Sequence, residues 1–122
     1  MELFDVTSAA LEVAARGAER RQAVLAGNMA NVNTPGFKRS DVNFEDSLAK
    51  ALGSSTRTSS LVGAVESQTV SETSTTMRAD GNNVDVDRET ARLAETQILF
   101  DSVMAMESKR MRSLSTLIAN AR

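Results

Sequence analysis

Leu25-Ala26-Gly27-Asn28-Met29-Ala30-Asn31-Val32-Asn33-Thr34-Pro35-Gly36-Phe37-Lys38-Arg39 decides the reading of this chain. Its first half ends a long amphipathic pattern, and its second half cannot continue one. Asparagine tolerates left-handed backbone, and Thr34 is pushed out of the helical region by Pro35. Pro35-Gly36 then reads as a turn. The stretch predicts a helix that stops near Val32 and an extended exit. A second helix of the same kind closes the sequence, leaving a polar middle between two sticky ends. That layout predicts an assembly subunit rather than an enzyme.

Upstream of the turn, alternate steps of four and three from Phe4 visit Ser8, Leu11, Ala15, Ala18, Gln22, Leu25, Met29 and Val32. Most are apolar or small, which is a seam of coiled-coil type. Glu12 and Arg16 stand in the favourable i,i+4 order beside it. Downstream, Asp80-Gly81-Asn82-Asn83 closes the middle, and Asp85 or Asp87 is placed to cap a new helix, with Glu89 near its positive end. The second seam runs Val86, Thr90, Leu93, Gln97, Phe100, Met104, Glu107, Met111, Leu114, Ile118 and Ala121. Lys109, Arg110, Arg112 and Arg122 lie toward its C-terminal end, where cations suit the dipole.

The two patterns share a period and a length, so pairing them is the economical fold. The fold class expected is all-α: two long N- and C-terminal helices pairing as a coiled coil around a short, mostly irregular Ser/Thr-rich middle. The boundaries are residues 1–34, 35–83 and 84–122. Within the middle, Asp41 to Leu48 reads as a short amphipathic helix with Val42, Phe44, Leu48 and Leu52 on its apolar side. From Gly53 to Asn83, Ser and Thr dominate and Leu61, Val62, Val65 and Val70 are apolar islands, so this part reads as a linker with at most a small β-hairpin.

Composition narrows the function. The chain has 122 residues, one domain's worth, with 41% hydrophobic residues but only 3% aromatic. Leu, Ile, Val and Phe make up about 22%, just above the level where disorder becomes the default, so contacts with partners are expected to complete the core. The net charge of −2 offers no field for nucleic acid. With neither Cys nor His, thiolate and imidazole metal sites and Ser-His or Cys-His catalysis are excluded. The acidic run Asp80 to Glu89 fails as an EF-hand loop, because Val84 and Asp85 fall where a ligand and a glycine are required. Arg20-Arg21 and Lys109-Arg110 read as solvated faces or inter-subunit partners. The N-terminus shows no secretory signal, and no segment has a membrane span's apolar length.

Arg21-Gln22-x-x-Leu25-Ala26-x-Asn28-x-Ala30-Asn31-x-Asn33-Thr34-Pro35-Gly36-Phe37 resembles the N-terminal signature of the bacterial flagellar rod and hook proteins. The continuation Lys38-Arg39-Ser40-Asp41-Val42-Asn43-Phe44 resembles that of the short proximal rod subunits, and Asp80 to Glu89 looks like their second signature. The resemblance covers roughly residues 8–48 and 79–120, with Phe100 standing where the family often has tyrosine. It implies a structural subunit of the proximal rod of the flagellar basal body, a helical tube that crosses the periplasm and transmits torque. The subunit would be exported unfolded, without a cleavable signal peptide, and would polymerise through its terminal helices.

The partners implied are other copies of the chain, other rod proteins, the FliE adaptor, the membrane ring and the flagellar type III export gate. No cofactor, metal, nucleic acid or small-molecule substrate is implied. The expected assembly seam is Leu11, Leu25, Met29, Leu93, Phe100, Met104, Met111 and Leu114. The expected signature turn is Asn28, Asn31, Asn33, Pro35, Gly36 and Phe37. Phe44 and Leu48 fit the export-gate motif, a phenylalanine followed four residues later by an apolar residue; the plainer reading packs both on the long helices. The sister proximal rod protein FlgC is the rival within the family, though its turn usually carries an insertion. A cytoplasmic helical-hairpin adaptor or export chaperone is the rival outside it.

Overall fold

The computed structural model of the protein describes residues 2–53, 69–74 and 78–121. The islands Leu61, Val62 and Val65, most of the Ser/Thr-rich stretch, the side chain of Phe4 and Arg122 lie outside the described residues. The chain runs α1 (Glu2–Ala30), β1 (Ser40–Val42), α2 (Glu45–Gly53), β2 (Thr69–Ser71) and α3 (Val86–Asn120). The two long helices, of 29 and 35 residues, dominate the molecule. At 1.5 Å per residue they are about 44 and 52 Å long. They pack antiparallel: Asn28 meets Glu89, Gln22 meets Gln97, and Leu11 lies across from Met104 and Met106.

Asp85 is the N-cap of α3, its carboxylate accepting from the backbone N–H groups of Asp87 and Arg88. Such a side chain satisfies donors that the first helical turn leaves unpaired. The small sheet pairs β1 with β2 antiparallel, Asp41 opposite Val70. Of the apolar islands, Val70 lies in β2, and it is exposed. The helix expected from Asp41 begins later, at Glu45, because Ser40–Val42 forms the strand first. Pairing with β2 and alternation of Val42 (inward) with Asn43 (outward) override the helical spacing read from Val42 to Leu52.

Helix α1 buries two stripes rather than one. Ser8, Leu11, Ala15 and Gln22 turn toward α3. A second stripe, Ala10, Val13, Gly17, Arg21 and Asn28, faces the middle of the chain, where Val42, Phe44 and Ala51 complete an apolar cluster with Val24, Leu48 and Leu99 around it. Phe44 lies on Gly17 so closely that a Cβ there would overlap its ring. A compact middle thus docks on α1, and the molecule has a core beyond the helix seam.

Candidate assembly site

The tip of the hairpin is built almost wholly from polar side chains. Asn28, 1% exposed, donates from Nδ2 to the carbonyl of Ser40 (2.7 Å) and to Glu89 Oε2 (2.8 Å), while its Oδ1 accepts from the Ser40 amide (3.0 Å). One side chain therefore joins α1, β1 and α3. Asn31 stops α1 by turning its Nδ2 back on the carbonyl of Gly27 (2.8 Å). Asn82, fully buried, lies with its Nδ2 2.9, 3.1 and 2.8 Å from the carbonyl oxygens of Asn31, Val32 and Thr34. Its Oδ1 accepts from the Val84 amide (2.8 Å). The amide of Asn83 is spent between the Arg39 N–H (2.7 Å) and the Glu72 carbonyl (2.6 Å).

Arg39 sits at the centre and is fully buried. Its Nε donates to Glu89 Oε1 (2.5 Å), Nη1 to Glu72, and Nη2 lies 3.4 Å from Asp41. Glu89 is also fully buried, so this ion pair has left water on both sides. A buried charge is tolerated only when paired and hydrogen-bonded, and here Asn28 satisfies the second oxygen of Glu89. Burial works to push the Arg39 guanidinium down, but the hydrogen bond and charge of Glu89, then Glu72 and Asp41, outweigh it and hold its pKa above the ordinary value. Burial likewise works to raise Asp41, yet the Arg92 hydrogen bond (2.5 Å), the Val42 amide and the charges of Arg92 and Arg21 keep it below the usual carboxylate range.

Arg21, expected on a solvated face, is buried instead. Its guanidinium donates to the Val42 carbonyl (2.9 Å from Nε) and to Glu45 (2.7 Å), and stands 4.5 Å from the centre of the Phe44 ring. A cation over an aromatic face gains further attraction. Glu89 stands in the first turn of α3, as expected, and there it also neutralises a buried arginine. Arg39, Glu72, Asn82 and Asn83 escape the sequence reading, since polar residues beside turns look like solvated loop. The signal present is the second α1 stripe, whose regular spacing runs through Arg21 and Asn28.

The residues of the turn itself are presented outward. Asn33, Thr34, Pro35 and Gly36 are exposed and Phe37 is half-buried. Gly36 has φ +72° and its amide donates to the Asp80 carbonyl (2.9 Å), so the exit turn and the turn at Gly81, φ +79°, are fastened to each other. Phe44, of the export-gate pair, is 1% exposed and Leu48 half-buried, both packed on α1.

The far part of α3 is the opposite case. Among the expected seam residues Leu25 is buried and Leu11, Met29, Leu93, Phe100 and Leu114 are half-buried, whereas Met104 and Met111 are 44% and 57% exposed. One helix can cover only one stripe of another, and here α1 covers the stripe through Val103, Glu107 and Leu114. Met104, Met111 and Ile118 form an open row on one flank, and Met106 and Leu117 stand open on the other. On that second side Thr7 and Leu11 of α1 and Met106, Arg110, Leu114 and Leu117 of α3 line an open groove of about 480 Å³. No described helix is long and apolar enough to cross a membrane.

The family model described as flagella basal body rod protein matches residues 11–38, the segment from mid-α1 through the exit turn to Lys38. The flagellar basal body rod protein FlgB of Bacillus subtilis (strain 168) is 30% identical, with the whole of both chains covered. FlgB of Escherichia coli (strain K12) is 25% identical over 81% of this chain and 83% of its own. The flagellar hook protein FlgE of Treponema pallidum is 42% identical, but over only 43% of this chain and 11% of the hook protein. Similarity of that level along the full length shows that the chain belongs to the family of flagellar basal body rod proteins FlgB.

Proposed function

We propose that the chain is a non-catalytic subunit of the proximal rod of the flagellar basal body, polymerising through the open flanks of α3 and the outward face of the tip. The observation that carries this reading is the apolar surface left on α3 although α1 packs along it. Five large apolar side chains between Met104 and Ile118 stay exposed, away from the tip where side-chain polar groups are held in place. Methionine is prominent among them, and its flexible side chain suits contacts with neighbours that are not identical. A contact between different patches of successive copies does not close and generates a helical filament. Relatives covered along most of their length are FlgB proteins, which favours this subunit over its sister FlgC.

Other rod proteins, the FliE adaptor and the membrane ring are the neighbours this reading assigns to the tip and to the α3 flanks. The flagellar type III export gate would read Phe44 and Leu48 before folding, since Phe44 is enclosed once α1 and α2 pack. Folding and recognition by the gate then exclude each other, as export through a narrow channel requires.

The test is Met111→Asp, a substitution on the open flank. The purified variant should keep the helix content of the parent by circular dichroism, while cells carrying it lose motility and their basal bodies lack the rod. Motility at the parental level would overturn the assignment of that flank to assembly. A hairpin adaptor that stays in the cytoplasm predicts the chain in the cell fraction and none in purified basal bodies.

A further inference from the structure

The apolar seam between α1 and α3 carries little information about register. On α1 it is made of Ser8, Ala15, Ala18 and Gln22 with the larger Leu11 and Leu25, and on α3 its buried positions Glu89, Thr96 and Val103 follow each other at steps of seven. A shift of one heptad, about 10 Å along the axis, keeps the covered face of each helix toward the other.

The polar clasp has no such repeat. Glu89 takes one hydrogen bond from Asn28 of α1 and one from Arg39 of the exit strand, and Asn82 closes on the carbonyls that follow α1. All three anchors are met in one alignment only. In any other, Arg39 and Glu89 are buried apart or drawn out of the core. Single buried polar groups are known to specify register and partner geometry in paired helices, at a cost in stability.

We propose that Glu89, with Arg39, Asn28 and Asn82, is a register lock: it selects one of several heptad-related alignments of α1 on α3. These are positioning residues, acting through the height at which they hold the helices. For a rod subunit, and this consequence rests on the function proposed above, the lock sets the distance from the tip to the Met104–Met111–Ile118 row, which every copy must share to fit a common lattice.

The chain has no cysteine, so engineered thiols would be its only ones. Three double variants of the full chain read the alignment with a short bis-maleimide. Gln22→Cys with Gln97→Cys reports the observed register, in which these side chains are 2.7 Å apart. Gln22→Cys with Thr90→Cys, or with Met104→Cys, reports a slip of one heptad either way. Each is made with the lock intact and with Arg39→Met, Glu89→Leu and Asn82→Ala together. The intact chain should cross-link at Gln22/Gln97 alone. Without the lock, helix content should persist and one slipped pair should gain about tenfold in yield, as expected when a register-specifying polar group is lost.

Cross-linking that stays at Gln22/Gln97 without the lock overturns the proposal. So does loss of helix content in the lock-free chain, which assigns the clasp to stability instead. The milder Glu89→Gln, which keeps the shape and the bond from Asn28, should give a smaller gain at the same slipped pair, and no gain there counts against the lock. Since the readout uses the isolated chain, a variant that cross-links normally yet leaves cells non-motile bears on the rod assignment and not on the lock.

Discussion

The two ends of this hairpin solve opposite problems. At the tip, buried charges and amides are matched within one chain, with Arg39 on Glu89 and Asn82 on the end of α1. Toward the C-terminus of α3, Met106, Met111, Leu117 and Ile118 are left more than half exposed. A finished surface and an unfinished one on the same rigid helix separate folding from association. Substitutions should therefore sort by end, with those at the tip changing the stability of the chain and those on the flanks changing what it joins.

The strongest break in that contrast is Glu89→Ala. It strands the Arg39 guanidinium in the interior, and removing one partner of a buried pair costs about 3–5 kcal/mol. Urea unfolding followed by circular dichroism should show a loss of that size. Gly17→Val comes next. The new side chain must displace the Phe44 ring, and overpacking of this kind costs about 1–3 kcal/mol. Because the Phe44–Leu48 motif is left intact, the variant should still be exported, and failure of export would separate the motif from the gate reading. Asp85→Ala removes the α3 cap and should cost about 1 kcal/mol by the same unfolding measurement.

Acid sharpens the comparison further. Asp41 and Glu72 are both held below their ordinary values of 3.8 and 4.5, burial opposing the shift and the arginines around them prevailing. Their folded forms bind protons less readily than the unfolded chain does. The stability they contribute is present above the ordinary range and lost as the pH falls through the depressed values. Unfolding midpoints should hold steady from neutral pH to about 5 and drop below it, and Asp41→Asn should flatten that drop. The smallest effect is expected at the open end. Ile118→Ser should change unfolding stability by no more than about 0.5 kcal/mol, while rod assembly in cells declines.

Much of this architecture is legible in the residues themselves. The long helices announce themselves by an apolar period sustained over many turns, and Asn31 to Gly36 by local backbone preference. Asp85 reads as a cap from its place before the period resumes. What stays hidden is pairing at a distance. Arg39 looks solvated until Glu89, fifty positions on, is brought beside it. Arg21 looks like half of a basic surface pair until Val42 and Phe44 arrive over it. The start of α2 is misjudged for the same reason: strand β1 depends on β2, whose residues Thr69–Ser71 carry almost no apolar signal. Polar clasps are written in residue pairs, and periodicity reads only neighbours.

The nested turns at Gly36 and Gly81 have a mechanical consequence. A Cβ at Gly81 would stand only 3.6 Å from the Gly36 Cα, and both residues hold positive φ. Main chain therefore rests on main chain, with no rotatable side chain between to absorb load. A joint of that kind has few soft degrees of freedom. In a shaft that turns, twist applied at one helix would reach the other with little backlash.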